Sequence, residues 1–293
     1  MQRTVPNSTP FQNYFGGKSG AGVYQSIINH IPPHRVFMTL FAGNCGVFKY
    51  MRRAEWSIIN DLDYQVFEKW HATGLWVNGD VRILNKDALT FLTGDLKDAE
   101  YQRQWKHTFI YLDPPYLKSS RRGQLDVYDK QLSELQHIEL LDIVLALPKE
   151  IKVMISHYPC PLYDEKLKGW QIFDFEAKTR QGMATERIYM NYQLDGHLHD
   201  YSYIGSNFRV REKYKRIITN FFLKLDRMEP LLRNAMLQEY ELQHRNKVRV
   251  EIQPKTDNLE VNGWVKDEDG QWINDLSCDS WYEDEDGQMI YEI

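Results

Sequence analysis

Four short apolar runs, Val36-Phe37-Met38-Thr39-Leu40, Trp56-Ser57-Ile58-Ile59-Asn60, Phe109-Ile110-Tyr111-Leu112 and Lys152-Val153-Met154-Ile155-Ser156, are each followed by turn residues. Segments of helical period lie between them, at 64–71 and at 133–147, where Leu135, Ile138, Leu141 and Leu145 fall on one stripe. Strands that alternate with helices predict an α/β chain built on a doubly wound, mostly parallel sheet, because parallel neighbours require crossovers and the crossover helices cover both faces. Ligands of such sheets sit beyond the carboxyl ends of the strands. The residues that follow each run are therefore the candidates for chemistry.

Asp113-Pro114-Pro115-Tyr116 follows the third run. An ionised carboxylate only accepts hydrogen bonds, and the carbonyl before a proline is likewise an acceptor, so two acceptors converge on one donor while Tyr116 offers a stacking face. A planar ring with an exocyclic amino group satisfies all three, and a base in a duplex reaches them only by leaving the stack. Asp113, Pro114 and Tyr116 are accordingly the catalytic candidates.

The glycines of Phe41-Ala42-Gly43-Asn44-Cys45-Gly46, after the first run, let backbone approach a ligand closely. The second run ends 17 residues beyond Gly43 and leads into Asp61, placed to accept from ribose hydroxyls. Asp87, in Leu84-Asn85-Lys86-Asp87-Ala88, suits an adenine amino group or, almost as well, a helix N-cap. Upstream, Tyr14-Phe15-Gly16-Gly17-Lys18 lacks the spacing of a nucleotide triphosphatase loop, and Lys18 is better suited to a carboxylate such as that of an amino-acid cofactor.

Net charge is −5, yet the acids are concentrated at one end. Residues 257–293 hold 12 acids against one base, leaving 35 bases and 29 acids in 1–256. Within the body, 207–249 carries 11 Lys/Arg against 5 Asp/Glu, and its helical pattern is interrupted at Pro230. Arg209, Arg211, Lys213, Lys215 and Arg216 suit either phosphates or a solvated face. The tail repeats a strand, an Asp-Gly turn and a strand, at 264–273 and 281–290, and neither copy has the spacing of a calcium loop. Expected boundaries are a catalytic domain over 1–206, a basic helical segment over 207–250 and an acidic β-hairpin module over 257–293. Cys45, Cys160 and Cys278 lack paired spacing, so neither disulfide framework nor zinc site is expected. The chain has no apolar leader and no run of 18 apolar residues, which leads to the expectation of a soluble, cytoplasmic protein.

In this order, Tyr14 to Lys18, Phe41 to Gly46, Asp61, Asp87, Asp113 to Tyr116, Ile155-Ser156-His157-Tyr158 and Glu186-Arg187-Ile188-Tyr189-Met190-Asn191-Tyr192 give a chain that resembles the Dam-like family of adenine-specific DNA methyltransferases. The resemblance covers roughly residues 11–225. It implies a Rossmann-like catalytic domain, S-adenosylmethionine as cofactor, contacts to it from Tyr14, Lys18, Asp61 and Asp113, and roles for Asp113 and Tyr116 at the target base. Phe41, Gly43, Gly46 and Asp87 complete the cofactor candidates. Members often carry a large recognition domain between the segments matching Asp87 and Asp113, where only 25 residues stand here. Lys118, Arg121 and Arg122 in the loop 118–124, Arg180 in 178–182, and the basic helices after Asn207 are the alternative DNA contacts. Duplex with a flipped adenine, single strands, a homodimer, and restriction-modification or solitary use all stay open. Competing readings are methylation of RNA adenine or of the cytosine amino group in DNA, and a catalytically silent DNA-binding regulator or mimic.

Overall fold

The structure, a computed structural model, describes residues 17–20, 22–120, 131–179 and 182–251, together with four short strands between 264 and 291. Five parallel strands, β1 (Val36–Thr39), β2 (Trp56–Asn60), β3 (Val81–Leu84), β4 (Thr108–Leu112) and β5 (Lys152–His157), join the antiparallel hairpin of β6 (Gln171–Thr179) and β7 (Gly182–Met190) in one sheet. Its order is β3-β2-β1-β4-β5-β7-β6, with β7 antiparallel to β5. Strand order reverses between β1 and β4, which is the switch point where open α/β sheets bind ligands. The expected doubly wound, mostly parallel sheet is what forms.

The runs are apolar throughout because both faces of the sheet are covered. On one face Phe37, Ile59, Phe109, Tyr111 and Met154 pack with α1 (Val23–Ile28), α2 (Gly46–Tyr50) and α3 (Tyr64–His71), through Ile27, Phe48 and Trp70. On the other, Met38, Ile58, Ile110, Leu112 and Val153 pack with α4 (Ala88–Thr93), α5 (Ala99–Gln102), α6 (Glu134–Leu145) and α7 (Pro161–Lys166). The alternation of Phe37 and Met38 between these two cores is the period-two geometry of a strand.

Two details depart from the sequence reading. Helix α6 buries His137, Leu140, Leu141 and Val144, whereas Leu135 and Leu145 are exposed. Of the expected stripe of Leu135, Ile138, Leu141 and Leu145, only Leu141 is buried and Ile138 partly so; His137 takes an apolar-face position because its Nδ1 pairs with the Tyr163 hydroxyl at 2.8 Å. The β6–β7 hairpin was not anticipated, because its outer strand leaves Ile172 and Phe173 exposed and so lacks a clean apolar pattern.

The chain divides into two compact units, 1–220 and 221–293. Helix α8 (Phe208–Asp226) crosses that division. Helix α9 (Pro230–Glu251) begins at the expected proline, and the Glu229 carboxylate accepts from the N–H groups of Leu231 and Leu232 at 3.2 and 3.0 Å. In the tail, β8 (Trp264–Lys266) pairs with β9 (Trp272–Asn274), and β10 (Trp281–Glu283) with β11 (Met289–Tyr291), both antiparallel. Among the described residues no helix is long and apolar enough to cross a membrane.

Candidate active site

Strand register brings the candidate loops to one edge. Thr39 of β1 lies level with Ile59 of β2 and with Tyr111 of β4, so the segments beginning at Leu40, Asp61 and Asp113 leave the sheet side by side. One buried amide holds three of the strand exits together. Asn60 Nδ2 donates to the carbonyls of Leu40 and Lys86 at 3.1 and 2.9 Å, and its Oδ1 accepts from the Lys86 N–H at 2.9 Å.

Beyond β1 the chain turns through Gly43, whose φ of 44° favours glycine. Its N–H donates to Asp61 Oδ2 at 2.7 Å and its carbonyl accepts from the Trp70 indole at 2.8 Å. Asp61 Oδ1 accepts from the Asp63 N–H at 2.9 Å. This carboxylate therefore braces the turn. Gly46, at the start of α2, donates to the Gly17 carbonyl at 2.7 Å. A Cβ at Gly46 would lie 2.8 Å from the Lys18 carbonyl, and one at Gly17 would lie 2.6 Å from Asn44 Cβ. The two glycine segments interlock because neither has a side chain at the crossing.

Lys18 follows that crossing in the left-handed region, with φ 53°. Its ammonium lies 2.9 Å from Asp113 Oδ1, 3.8 Å from Glu186 Oε2 and 4.5 Å from the centroid of the Tyr116 ring. The Tyr116 hydroxyl donates to Glu186 Oε2 in a short hydrogen bond. Glu186 reaches the site from β7, one residue past the His157–Arg187 pair that closes the β5–β7 register. His157 secures the backbone after Tyr116: the Leu117 N–H donates to its Nε2 at 2.9 Å, and its Nδ1 donates to the Tyr158 carbonyl at 2.7 Å. Those partners require a neutral imidazole with its proton on Nδ1. The His157 and Tyr158 rings also pack on Tyr116, with centroids 4.8 and 4.6 Å away.

Burial sets the protonation of this cluster. It pushes the Asp113 carboxyl up to about 6, against the pull of the Lys18 ammonium. It also holds the Tyr116 hydroxyl well above its usual range, with the negative charges of Glu186 and Asp113 acting in the same direction. Tyr116 is thus a neutral donor. Burial likewise raises Asp61, partly offset by the two backbone N–H groups it accepts from. The Cys45 thiol, pushed up to about 11 by burial, stays protonated and has no thiolate character for nucleophilic chemistry.

Of the candidates from sequence, Lys18, Asp113 and Tyr116 meet in one cluster, buried Pro114 lies between the last two, and Gly43, Gly46 and Asp61 form the adjoining turn. Phe41 packs partly buried on the core beside them. Asp87 caps α4, its Oδ1 accepting from the Thr90 N–H and hydroxyl at 2.8 and 3.0 Å. Lys118 is exposed on the turn after Tyr116. Tyr14, Arg121, Arg122 and Arg180 lie outside the described residues. Glu186 and His157 lie in segments that carry the family resemblance, but no role for either is legible in the sequence. Their signal was present in that an acid and a histidine flank apolar strand runs, but only the sheet brings them to Tyr116.

The model for the D12 class of N6 adenine-specific DNA methyltransferases matches residues 78–181. That span includes Asp87 and Asp113 to Tyr116, so the family resemblance read from the sequence is borne out there. No curated protein matches the chain. Similar solved structures include TrmK of M. capricolum in complex with S-adenosyl-homocysteine, at 11% identity over 79% of this chain and 97% of that one, with a TM-score of 0.40. A human methyltransferase 10 domain containing protein aligns at 13% identity over 55% of this chain and 73% of that one, with a TM-score of 0.39. The N-terminal domain of human METTL16 in complex with SAH aligns at 14% identity over 55% and 62%, with a TM-score of 0.38.

Proposed function

We propose that this chain is a DNA adenine methyltransferase that transfers the methyl group of S-adenosylmethionine to the N6 amino group of an adenine flipped out of DNA. The observation that carries the reading is Asp113-Pro114-Pro115-Tyr116 at the carboxyl end of β4, beside the switch point and inside the span matched by the N6-adenine family. The donor set fits such a cofactor. Lys18 offers an ammonium to a carboxylate, Asp61 an acceptor to hydroxyls, and the Gly43 to Gly46 turn a close backbone approach. When bound, the cofactor supplies an electrophilic methyl on a sulfonium.

The rest of the chemistry belongs to the chain. Asp113 and the Pro114 carbonyl accept from the amino group, which draws its lone pair out of the ring plane and stabilises positive charge as it develops on nitrogen. Tyr116 supplies the stacking face, its hydroxyl fixed by Glu186 and the Leu117 N–H that follows it by His157. Holding base and methyl donor in line makes a bimolecular step nearly unimolecular, worth up to about 7–11 kcal/mol where alignment is good. No covalent enzyme intermediate is needed. The basic residues of α8 and Lys118 are the proposed DNA contacts.

The test is transfer of labelled methyl to mixed-sequence duplex DNA, followed by digestion to nucleosides, for the wild type and Asp113→Ala. Label in N6-methyladenine that disappears in the variant supports the reading. The rate should also fall on the acid side as Asp113 takes up a proton near pH 6. Label in cytosine or only in RNA moves the substrate, and cofactor and DNA binding without transfer leaves the silent regulator.

A further inference from the structure

A buried carboxylate aimed at an amino group needs a donor even when no substrate is present. Here Lys18 supplies it. The ammonium stands 2.9 Å from Asp113 and 4.5 Å above the Tyr116 ring, which is where an amino group on a stacked base would have to donate. A second carboxylate, Glu186, lies 3.8 Å from the same ammonium and also accepts from Tyr116. All three charged side chains are nearly buried, with exposures of 7% for Lys18, 14% for Asp113 and 8% for Glu186. Lys18 is moreover the sole non-glycine residue among the described residues in the left-handed region, a conformation that carries strain and persists only where its surroundings impose it.

We propose that Lys18 is an internal stand-in for the target amino group, held over Tyr116 by Asp113 and Glu186, so that a base is admitted only after the carboxylate of the cofactor has drawn the lysine away. This rests on the proposed function and adds to it an order of binding and a positioning residue, Glu186. The ammonium and a stacked base exclude one another, because both need the same acceptor and the space above the same ring. One cation serves two carboxylates, so removing Lys18 without a replacement positive charge leaves Asp113 and Glu186 unpaired beside each other. That penalty closes the site to a base while the cofactor is absent. By linkage, cofactor and flipped base must strengthen each other's binding by the same factor.

The experiment uses the full chain, S-adenosylhomocysteine, and mixed-sequence duplexes carrying 2-aminopurine next to adenines, so that the adenine keeps its 6-amino group and the probe's fluorescence rises when the neighbouring adenine leaves the stack. Calorimetric titration with S-adenosylhomocysteine comes first. Absence of binding there overturns the proposed function itself. Given binding, the wild type should show at least about a tenfold larger fluorescence rise with S-adenosylhomocysteine than without it, within the usual range of coupling between two sites. Glu186→Gln keeps an oxygen for the Tyr116 hydroxyl but loses one of the two charges that hold Lys18, and Lys18→Met removes the stand-in. Both should raise the cofactor-free signal toward the liganded level, and two variants guard against one that fails to fold. Equal wild-type signals with and without S-adenosylhomocysteine, no rise in either state, or unchanged cofactor-free signals in both folded variants would each overturn the order of binding.

Discussion

Replacing Asn60 with alanine should loosen the whole edge on which the candidate site stands. The Asn60 side chain is fully buried and makes three hydrogen bonds to backbone, two to the Leu40 and Lys86 carbonyls and one from the Lys86 N–H. Each buried hydrogen bond contributes a net of about 1 kcal/mol, so the expected loss of three is about 3 kcal/mol. For a folded unit of this size that corresponds to a melting temperature lower by about 6–12 °C. Urea unfolding of wild type and Asn60→Ala, at unchanged slope, measures it directly. Asn60→Asp is the sharper control. It keeps the acceptor for Lys86 but turns an oxygen toward two carbonyls, and should cost more than alanine despite its closer shape. Because the Leu40 and Lys86 carbonyls border the Gly43 turn and Asp87, S-adenosylhomocysteine affinity should fall alongside stability. A loss below about 1 kcal/mol in alanine, or an aspartate variant as stable as wild type, would refute the claim that this amide ties the strand exits together.

Gly46→Ala should push residues 17–18 away from α2, since its Cβ would lie 2.8–2.9 Å from the Lys18 and Gly17 carbonyls, and backbone there has little room to yield. Overpacking of this kind costs about 1–3 kcal/mol; calorimetry with S-adenosylhomocysteine should show weakened binding, and unaltered affinity would mean that Lys18 is placed independently of this crossing. Acid should destabilise the fold through His34, which stacks on His199 at 3.8 Å and is held down to about 3 by burial, with the neighbouring His199 adding to the effect. Because the folded state resists the proton that the unfolded chain takes up below its ordinary value near 6.5, stability is complete above that pH and declines as pH falls toward 3, by up to about 2 kcal/mol at pH 5. Denaturant midpoints at pH 8 and pH 5 check this, and His34→Leu should flatten the difference.

Much of the scaffold is legible in the sequence because the period of a strand or helix is a local property. The four apolar runs, the helices between them, the proline that opens α9 and the paired strands of the tail all stand in the structure close to where residue patterns place them. The order of the motifs also points to the carboxyl edge of the sheet, where Gly43, Asp61 and Asp113 are found. Local period fails where burial is decided elsewhere. On α6 a histidine paired with Tyr163 joins Leu141 in the core while Leu135 and Leu145 stay outside it, and the β6–β7 hairpin is too exposed on one side to show an apolar alternation. Convergence of side chains is a different kind of fact. Chain positions 18, 116 and 186 have no relation in the sequence; they meet because β1 and β4 run in register at the switch point, β7 folds back antiparallel to β5, and two glycines let the segment before α1 cross the turn before α2. Sequence alone determined a doubly wound sheet with an acid and an aromatic ring at a strand end. Only the tertiary structure decided that a lysine lies over that ring, shared between two buried carboxylates, because strand order and register set which distant residues become neighbours.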